Sequence, residues 1–339
     1  MTVALELADV SQEFGGGNAW LDRLLHRERP VVKAVRSVSL AIETSEVFGL
    51  VGESGCGKST LSRIAAGLLS PSRGRVLVDG EPIRKRPGSR AGLEVQMIFQ
   101  NPMASLNPRR RVRDIIGEAP LMHGLVRRAE LRDYVEALLA RVGLDAEFAE
   151  RFPHQCSGGQ RQRIGIARAL AVKPKVLICD EPVTALDVSI QAHVLNLFME
   201  LRRDLGLTML FVSHDLRVIR HVADRVGIMY LGEMVEIGTA AAVLGDPAHP
   251  YTRGLLDSVP KLGRGRQRFH PVSGEIPSPF APPPGCAYHP RCPSAMDICQ
   301  REKPAAGIAP GGQRVACHLY RTPAAAASAV AGPPLVSAV

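Results

Sequence analysis

The stretch Glu46-Val-Phe-Gly-Leu-Val-Gly-Glu-Ser-Gly-Cys-Gly-Lys-Ser-Thr60 limits what this chain can fold into more than any other. Residues 47–51 are an apolar run that reads as a buried strand. They feed Gly52-x-x-x-x-Gly57-Lys58-Ser59, and a helical pattern follows over residues 60–68. A polyphosphate has to be wrapped closely by backbone N–H groups, so glycines are needed where the chain bends tightly, and the helix start adds partial positive charge. Gly52, Ser54, Gly55, Gly57 and Thr60 belong to this cradle. Lys58 is placed to reach the β- and γ-phosphates, and Ser59 to put its hydroxyl on Mg²⁺.

The 339 residues suffice for one large α/β domain plus something smaller, and 45% hydrophobic content supports a sizeable core. Aromatics, at 4%, are too few for a stacking platform on single-stranded nucleic acid. A formal charge of +9 fits nucleic acid, anionic headgroups or an Arg-rich proteome equally, and the basic clusters at 84–90, 109–113 and 261–268 read as solvated faces or loops. Residues 1–10 carry acids rather than a basic start to an apolar segment, and no apolar run approaches the roughly 20 residues that span a bilayer. The expectation is a cytosolic or peripheral protein.

Along the chain, residues 3–7 and 38–42 alternate like half-buried strands around an irregular insertion at 15–33. Phe14, just after the first strand, is placed to stack on an adenine ring or to serve as a core or edge aromatic, and Trp20 competes for the stacking role. A strand over 75–80 ends in an Asp-Gly turn, and another over 95–100 stops at Gln100, where α/β ligand crevices form. Residues 112–150 are helical, with Leu131, Val135, Leu138, Leu139 and Val142 at 3.6-like spacing, so a helical subdomain is inserted in the α/β core. Ser157-Gly158-Gly159-Gln160 then caps a helix over 161–172 and forms a second potential anion site. The strand over 176–180 ends in Asp180, suited to Mg²⁺, and Glu181, placed to orient or deprotonate an attacking water. Asp187 lies in the next loop before a helix over 189–205. A further buried strand ends at His214, and a hairpin folds around Gly232. His249-Pro-Tyr-Thr252 opens a short helix to 259; past 263 the chain is rich in Arg, Gly and Pro, and residues after 321 are expected to be disordered. No internal repeat is present.

Taken in order, the P-loop, Gln100, Ser157-Gly-Gly-Gln160, Asp180-Glu181, Leu186-Asp187 and His214 resemble the ATP-binding cassette ATPases over about residues 3–237. Asn107-Pro-Arg109, Ser189-Ile-Gln191, Tyr230-Leu-Gly232 and above all His249-Pro-Tyr-Thr252 resemble the cytoplasmic ATPase subunits of oligopeptide and dipeptide importers. The insertion before Lys33-Ala34-Val35 is similar to that of their F-type subunit. The resemblance implies an α/β P-loop NTPase (RecA-like) core with an antiparallel β subdomain, an inserted α-helical subdomain and a small Cys-rich C-terminal extension. The ATPase domain would span 1–238, with its helical subdomain at about 103–165. The extension would span 239–322 and a disordered tail 323–339.

It further implies two cassettes facing head to tail over two ATP molecules. Ser157, Gly158, Gly159 and Gln160 of one would cap the γ-phosphate held by Lys58 of the other. Gln100 would sense Mg²⁺ and the attacking water, Glu181 would be the general base, His214 would contact the γ-phosphate, and Asp187 would communicate across the dimer. Closure would move the coupling helices of two transmembrane permease subunits served by an extracytoplasmic solute-binding protein. That places the chain at the cytoplasmic face of the membrane, importing peptides or related small solutes such as nickel chelates. Whether the second ATPase subunit is identical stays open. The rival readings are a soluble cassette ATPase acting on nucleic acid or ribosomes, and a subunit that binds ATP without hydrolysing it. The chain has neither the second cassette nor the long coiled-coil insertion usual in the soluble class. Two positions depart from the family pattern: Cys156 stands where leucine is usual, at a packing position, and Met103-Ala104 lies where members vary.

Seven cysteines divide three and four. Cys56, Cys156 and Cys179 lie in the body, whereas Cys286, Cys292, Cys299 and Cys317 crowd a short segment as C-x5-C-x6-C-x17-C, which in a reducing compartment suggests metal more than disulfides. Four thiolates suit zinc as well as iron–sulfur, and the absence of C-x2-C knuckles weakens zinc. The segment resembles the tail of peptide-importer ATPases, some of which carry a 4Fe–4S cluster. Free thiols are the remaining reading.

Overall fold

The computed structural model describes residues 2–15, 31–83, 92–101, 105–184, 186–258 and 274–320. The readings made at Trp20, at Met103-Ala104, at the basic runs 84–90 and 261–268 and at the tail beyond 321 lie outside these residues. Two sheets organise the described chain. β1 (Val3–Phe14) and β2 (Val32–Glu43) pair antiparallel, and with β4 (Arg73–Val78) and β5 (Glu81–Pro82) they form a four-stranded sheet in the order β2-β1-β4-β5. This is the antiparallel subdomain implied by the resemblance.

The second sheet is built on β3 (Val47–Val51), which lies between two parallel neighbours, β8 (Thr208–Val212) and β9 (Arg225–Tyr230). Beyond β8 come β7 (Val176–Asp180) and β6 (Val95–Ile98), also parallel. Parallel strands covered on both faces read as unbroken apolar runs. The pleat divides their side chains between two cores. Val47, Val51, Leu177, Cys179, Met209 and Phe211 enter the core shared with the helical subdomain. Phe48, Leu50, Val176, Ile178, Leu210 and Val212 enter the one shared with the antiparallel sheet. The helix after β3, α1 (Lys58–Ala65), buries Leu61 and Ile64 completely in that second core. It stops at Ala65 rather than continuing to Leu68, because Gly67 takes φ 65° and the N–H groups of Leu68 and Leu69 turn back onto the Arg63 carbonyl.

The inserted helices are α2 (Val112–Met122) and α3 (Leu131–Arg141), followed by 3₁₀ segments at Ala146–Glu150 and Pro153–Gln155. Val135, Leu138, Leu139 and Val142 are buried as their spacing requires. The basic cluster at 109–113 is solvated and ion-paired: Arg110 pairs with Glu118, while Arg111 and Arg113 share Glu150. The remaining helices of the body are α4 (Gly158–Leu170), α5 (Val188–Leu205) and α6 (Leu216–Val222).

β10 (Glu233–Thr239) forms the expected hairpin with β9. Past α7 (Ala240–Gly245), α8 (Pro250–Asp257) and α9 (Asp297–Arg301), the chain returns to the main sheet. There β12 (Arg314–Ala316) pairs with β10 and β11 (Ala306–Ile308) closes the edge. Three-residue strands are too short to leave an alternation signal, so the sequence did not announce that the Cys-rich segment is hydrogen-bonded to the core.

His249 starts α8 by accepting the Tyr251 N–H on Nδ1 at 3.0 Å, while the Glu236 carboxylate holds the Ala248 and His249 N–H groups at 2.8 and 2.9 Å. Burial pushes the His249 pKa down to about 3, Arg253 adding to it. The unfolded chain therefore binds a proton below about pH 6.5 that the folded chain refuses, and stability is lost as pH falls from 6.5 towards 3, at up to about 1.4 kcal/mol per pH unit. Asn keeps the capping function without the titration. Urea denaturation of His249→Asn should show a flatter stability profile between pH 6.5 and 4 than wild type; an equally steep profile would refute the assignment.

Candidate functional site

Val51 leads out of β3 into the loop 52–57, whose bends are fixed by close approaches. A Cβ on Gly52 would stand 2.2 Å from the Met229 carbonyl oxygen, and one on Gly57, at φ 105°, 2.2 Å from that of Ala34. Gly55, at φ 79°, meets nothing within 4 Å. Lys58, 5% exposed, folds its ammonium back onto the Gly52 and Glu53 carbonyls at 2.8 and 2.9 Å. The loop thus turns two of its carbonyls onto a buried cation.

A cleft of about 530 Å³ opens beside it, lined by Ser54, Gly55, Gly57, Lys58, Ser59 and Thr60 together with Gln100, Glu181 and His214. The ends of β6, β7 and β8 deliver these last three to one edge. Asp180 is 6% exposed and accepts a hydrogen bond from Ser59 Oγ at 3.2 Å. Burial raises its pKa, and the Ser59 hydrogen bond opposes that rise without cancelling it. A carboxylate and a hydroxyl at this depth are the oxygen donors that Mg²⁺ takes, and a cation there would relieve the desolvated charge.

Glu181 follows at φ 49°, a left-handed conformation rare for a residue with a side chain. Its Oε2 accepts Gln100 Nε2 at 2.9 Å and Thr184 Oγ1 at 3.2 Å, and lies 3.3 Å from His214 Nδ1. Three polar side chains thus converge on one carboxylate oxygen at the rim of the phosphate cradle.

Other expected site residues stand apart from this cleft. Ser157 caps α4 by accepting the Gln160 N–H at 3.3 Å, and Gln160 Oε1 accepts the Ser157 N–H at 2.8 Å, completing the reciprocal cap. Gly158 is exposed, whereas Gly159 is buried against Ile190, where a Cβ would meet Cγ2 at 2.6 Å. Asp187 is exposed at the start of α5, and its side chain makes no capping hydrogen bond. Phe14 is 41% exposed at the end of β1, paired with Val32; Val32, Lys33 and Ala34, rather than Phe14, line the cleft. Cys156 is buried, with Sγ 3.6 Å from the Phe152 carbonyl, in keeping with a packing position.

Among the described residues, no group of three or more His, Cys, Asp or Glu stands where it could hold a metal ion, so the iron–sulfur expectation finds no support in the spacing of the four C-terminal cysteines. They are nonetheless neighbours. Burial raises the Cys286 thiol to about 11, and Cys299, Cys317 and Cys292 push it the same way. The thiols of Cys286, Cys292 and Cys317 each take a backbone N–H from two residues on, at Tyr288, Ser294 and Leu319. The donor chemistry suits thiolates; the spacing does not close around an ion.

Sequence reasoning missed four contributors. Thr184 donates to Glu181, and Pro279 lines the nucleotide-sized cleft from the C-terminal segment. Tyr251 and Arg291 grip the loop residue Glu53. The His-Pro-Tyr-Thr motif pointed to Tyr251; nothing in the sequence pointed to Arg291.

Among solved structures, the fold is similar to that of cbiO1 from Clostridium perfringens, part of the ABC transporter complex cbiONQ, with TM-score 0.61 and 27% identity over 73% of this chain and 92% of that one. It is equally similar to the ATP-binding cassette MJ0796 in a dimeric post-hydrolysis state bound to ADP and Pi, with TM-score 0.61 and 27% identity over 70% and 98% of the two chains. Fold and site together define an ATPase of the cassette class. Residues 35–184 match the family described as ABC transporter, and residues 235–299 match the oligopeptide/dipeptide transporter C-terminal region. The chain is 48% identical to the oligopeptide transport ATP-binding protein AppF of Bacillus subtilis (strain 168), over 93% of this chain and 97% of that protein. It is 45% identical to the oligopeptide transport ATP-binding protein OppF of Haemophilus influenzae, over 84% and 88%. It belongs to the ABC transporter family as an ATP-binding subunit. Among the described residues, no helix is long and apolar enough to cross a membrane.

The buried Asp180 charge is a burden to the nucleotide-free chain. Asp180→Asn should raise its stability by about 1 kcal/mol, since an amide keeps the Ser59 contact without the desolvated charge. With Mg²⁺ and ATP the order should reverse, wild type gaining melting temperature and the variant not. Equal stabilisation of both by Mg²⁺ and ATP would remove Asp180 from the metal site.

Proposed function

We propose that this chain hydrolyses ATP to power import of oligopeptides, dipeptides or related small solutes across the cytoplasmic membrane, from a peripheral position on its cytoplasmic face. The observation that carries the hydrolytic part is the Glu181 carboxylate held by Gln100, Thr184 and His214 beside Lys58, Ser59 and Asp180. The substrate class is supported by the match to the oligopeptide/dipeptide transporter C-terminal region and by the names of the relatives. Residues 1–238 would form the ATPase domain, with a helical subdomain at about 103–165, 239–322 the extension and 323–339 a tail.

In this reading the loop amides from Gly52 to Thr60 bind the phosphates and Lys58 transfers its ammonium from its own carbonyls to the β- and γ-phosphates. Ser59, Asp180 and Gln100 would hold Mg²⁺, which supplies charge neutralisation on the phosphate oxygens. Glu181 accepts the proton of a water whose oxygen bonds to the terminal phosphorus as the bond to the ADP oxygen breaks. Gln100 orients that water, and His214 holds the γ-phosphate. The Ser157–Gln160 cap, exposed at Ser157 and Gly158, faces the nucleotide of a second cassette subunit, with Asp187 at the shared face. Two permease subunits and an extracytoplasmic solute-binding protein complete the importer.

Glu181→Gln keeps the shape and the hydrogen-bond capacity while removing the base. It should lower turnover at least about 100-fold, leave ATP binding intact and give an ATP-dependent dimer on size-exclusion chromatography. A wild-type assembly no faster than this variant would leave only ATP binding. Affinity purification from membranes should recover two polytopic subunits; recovery with nucleic acid and never with membrane subunits would overturn the transport role.

The four cysteines are proposed to carry a 4Fe–4S cluster on the strength of the segment's resemblance to the tail of importer ATPases; their spacing among the described residues does not itself support it. Anaerobically purified protein should then contain iron and acid-labile sulfide and absorb near roughly 400 nm. Iron-free protein with four alkylatable thiols would refute the cluster.

A further inference from the structure

Glu53 sits inside the loop that would receive a polyphosphate, and all its polar groups are engaged. Its N–H donates to Tyr251 Oη at 2.9 Å, and its carbonyl accepts Lys58 Nζ at 2.9 Å and the Cys56 N–H at 3.3 Å. Its carboxylate receives both arms of the Arg291 guanidinium, at 2.7 and 3.0 Å. Tyr251 and Arg291 both come from beyond β10, and they are 0% and 7% exposed. Their aim is fixed by packing. Tyr230, Tyr251 and Tyr288 pack against one another in tilted and edge-to-face pairs with centroids 4.7 to 5.3 Å apart, and Arg291 lies over the Tyr230 ring and donates to its hydroxyl at 3.4 Å.

We propose that Arg291, seconded by Tyr251, is a positioning residue for nucleotide binding: through Glu53 it holds the phosphate loop and Lys58 in place and cancels a carboxylate charge that would repel the incoming phosphates. The proposal rests on the reading of this cleft as the ATP site. Two physical effects combine in it. A bidentate, charge-assisted pair with little water access fixes direction as well as distance. In a loop free to bend at glycines, that direction decides where the Glu53 carbonyl, and with it the Lys58 ammonium, points. The second effect is charge. An uncompensated carboxylate beside a polyphosphate is repulsive, and the repulsion grows as water is excluded.

The two effects make a test in which a scaffolding role and a positioning role diverge. Full-length Arg291→Gln should bind Mg·ATP about tenfold more weakly, within the range usual for coupled sites, and its ATPase KM should rise while kcat at saturation stays within about twofold. Arg291→Lys, which keeps the charge and loses the fork, should lie between it and wild type. Adding Glu53→Gln to Arg291→Gln should recover part of the affinity, because the repulsive charge is gone. A residue that only supports the fold would instead make the double variant no better than the single.

Should Arg291→Gln not fold, wild-type hydrogen exchange decides the matter. Mg·ATP should slow exchange at residues 289–292 as well as at the loop, since coupling is reciprocal. Protection of the loop alone, or an Arg291→Gln chain that binds Mg·ATP like wild type, overturns the positioning role and leaves the ATP site standing. A wild-type chain that binds no Mg·ATP overturns the site reading itself.

Discussion

A buried ammonium must find acceptors, and much of this molecule is arranged around that of Lys58. Without a phosphate, the charge is satisfied by carbonyls of its own loop, so the bends that bring Gly52 and Glu53 within reach are required by electrostatics as well as by the turn. Those bends depend on glycines pressed against the Met229 and Ala34 carbonyls, which fixes the loop against both the main sheet and β2. The cradle is therefore held by the main sheet on one side and the antiparallel sheet on the other.

The second constraint is the parallel register of β6, β7, β8 and β3. Parallel neighbours end together, so polar residues placed one or two steps past each apolar run gather along one edge. Gln100, Asp180, Glu181 and His214 meet by this rule although they are far apart in sequence. Glu181 gains a further turn from its left-handed backbone, which separates its direction from that of Asp180 immediately before it. Two adjacent carboxylates thus take different partners: Asp180 the Ser59 hydroxyl, Glu181 the side chains of Gln100, Thr184 and His214.

The parts that were legible in the sequence share a physical cause. Strands buried on both faces cannot hide their composition, and a phosphate loop cannot do without its glycines, so β3, β7, β8 and the cradle were readable from residue type alone. The helical insertion was readable because Val135, Leu138, Leu139 and Val142 keep a 3.6-residue period. The return of the C-terminal segment to the sheet was not, because β11 and β12 are too short to show a pattern and their pairing is set by β10. Arg291 was invisible for a different reason: its role depends on a partner 238 residues away, and a single arginine beside cysteines carries no signal of that distance. Phe14, read as an aromatic for an adenine ring, stands 41% exposed at the end of β1, beside its strand partner Val32 in the cleft wall.

The contact between Glu53 and Arg291 also bears on how the protein is made. Synthesis runs from the N-terminus, so the phosphate loop leaves the ribosome long before the residue that grips it. The last grip on the loop closes only when the C-terminal turn has been delivered and docked. The nucleotide cradle thereby doubles as a check on the integrity of the chain: a product cut short before residue 291 carries every motif of the cassette and an unneutralised acid in its phosphate loop.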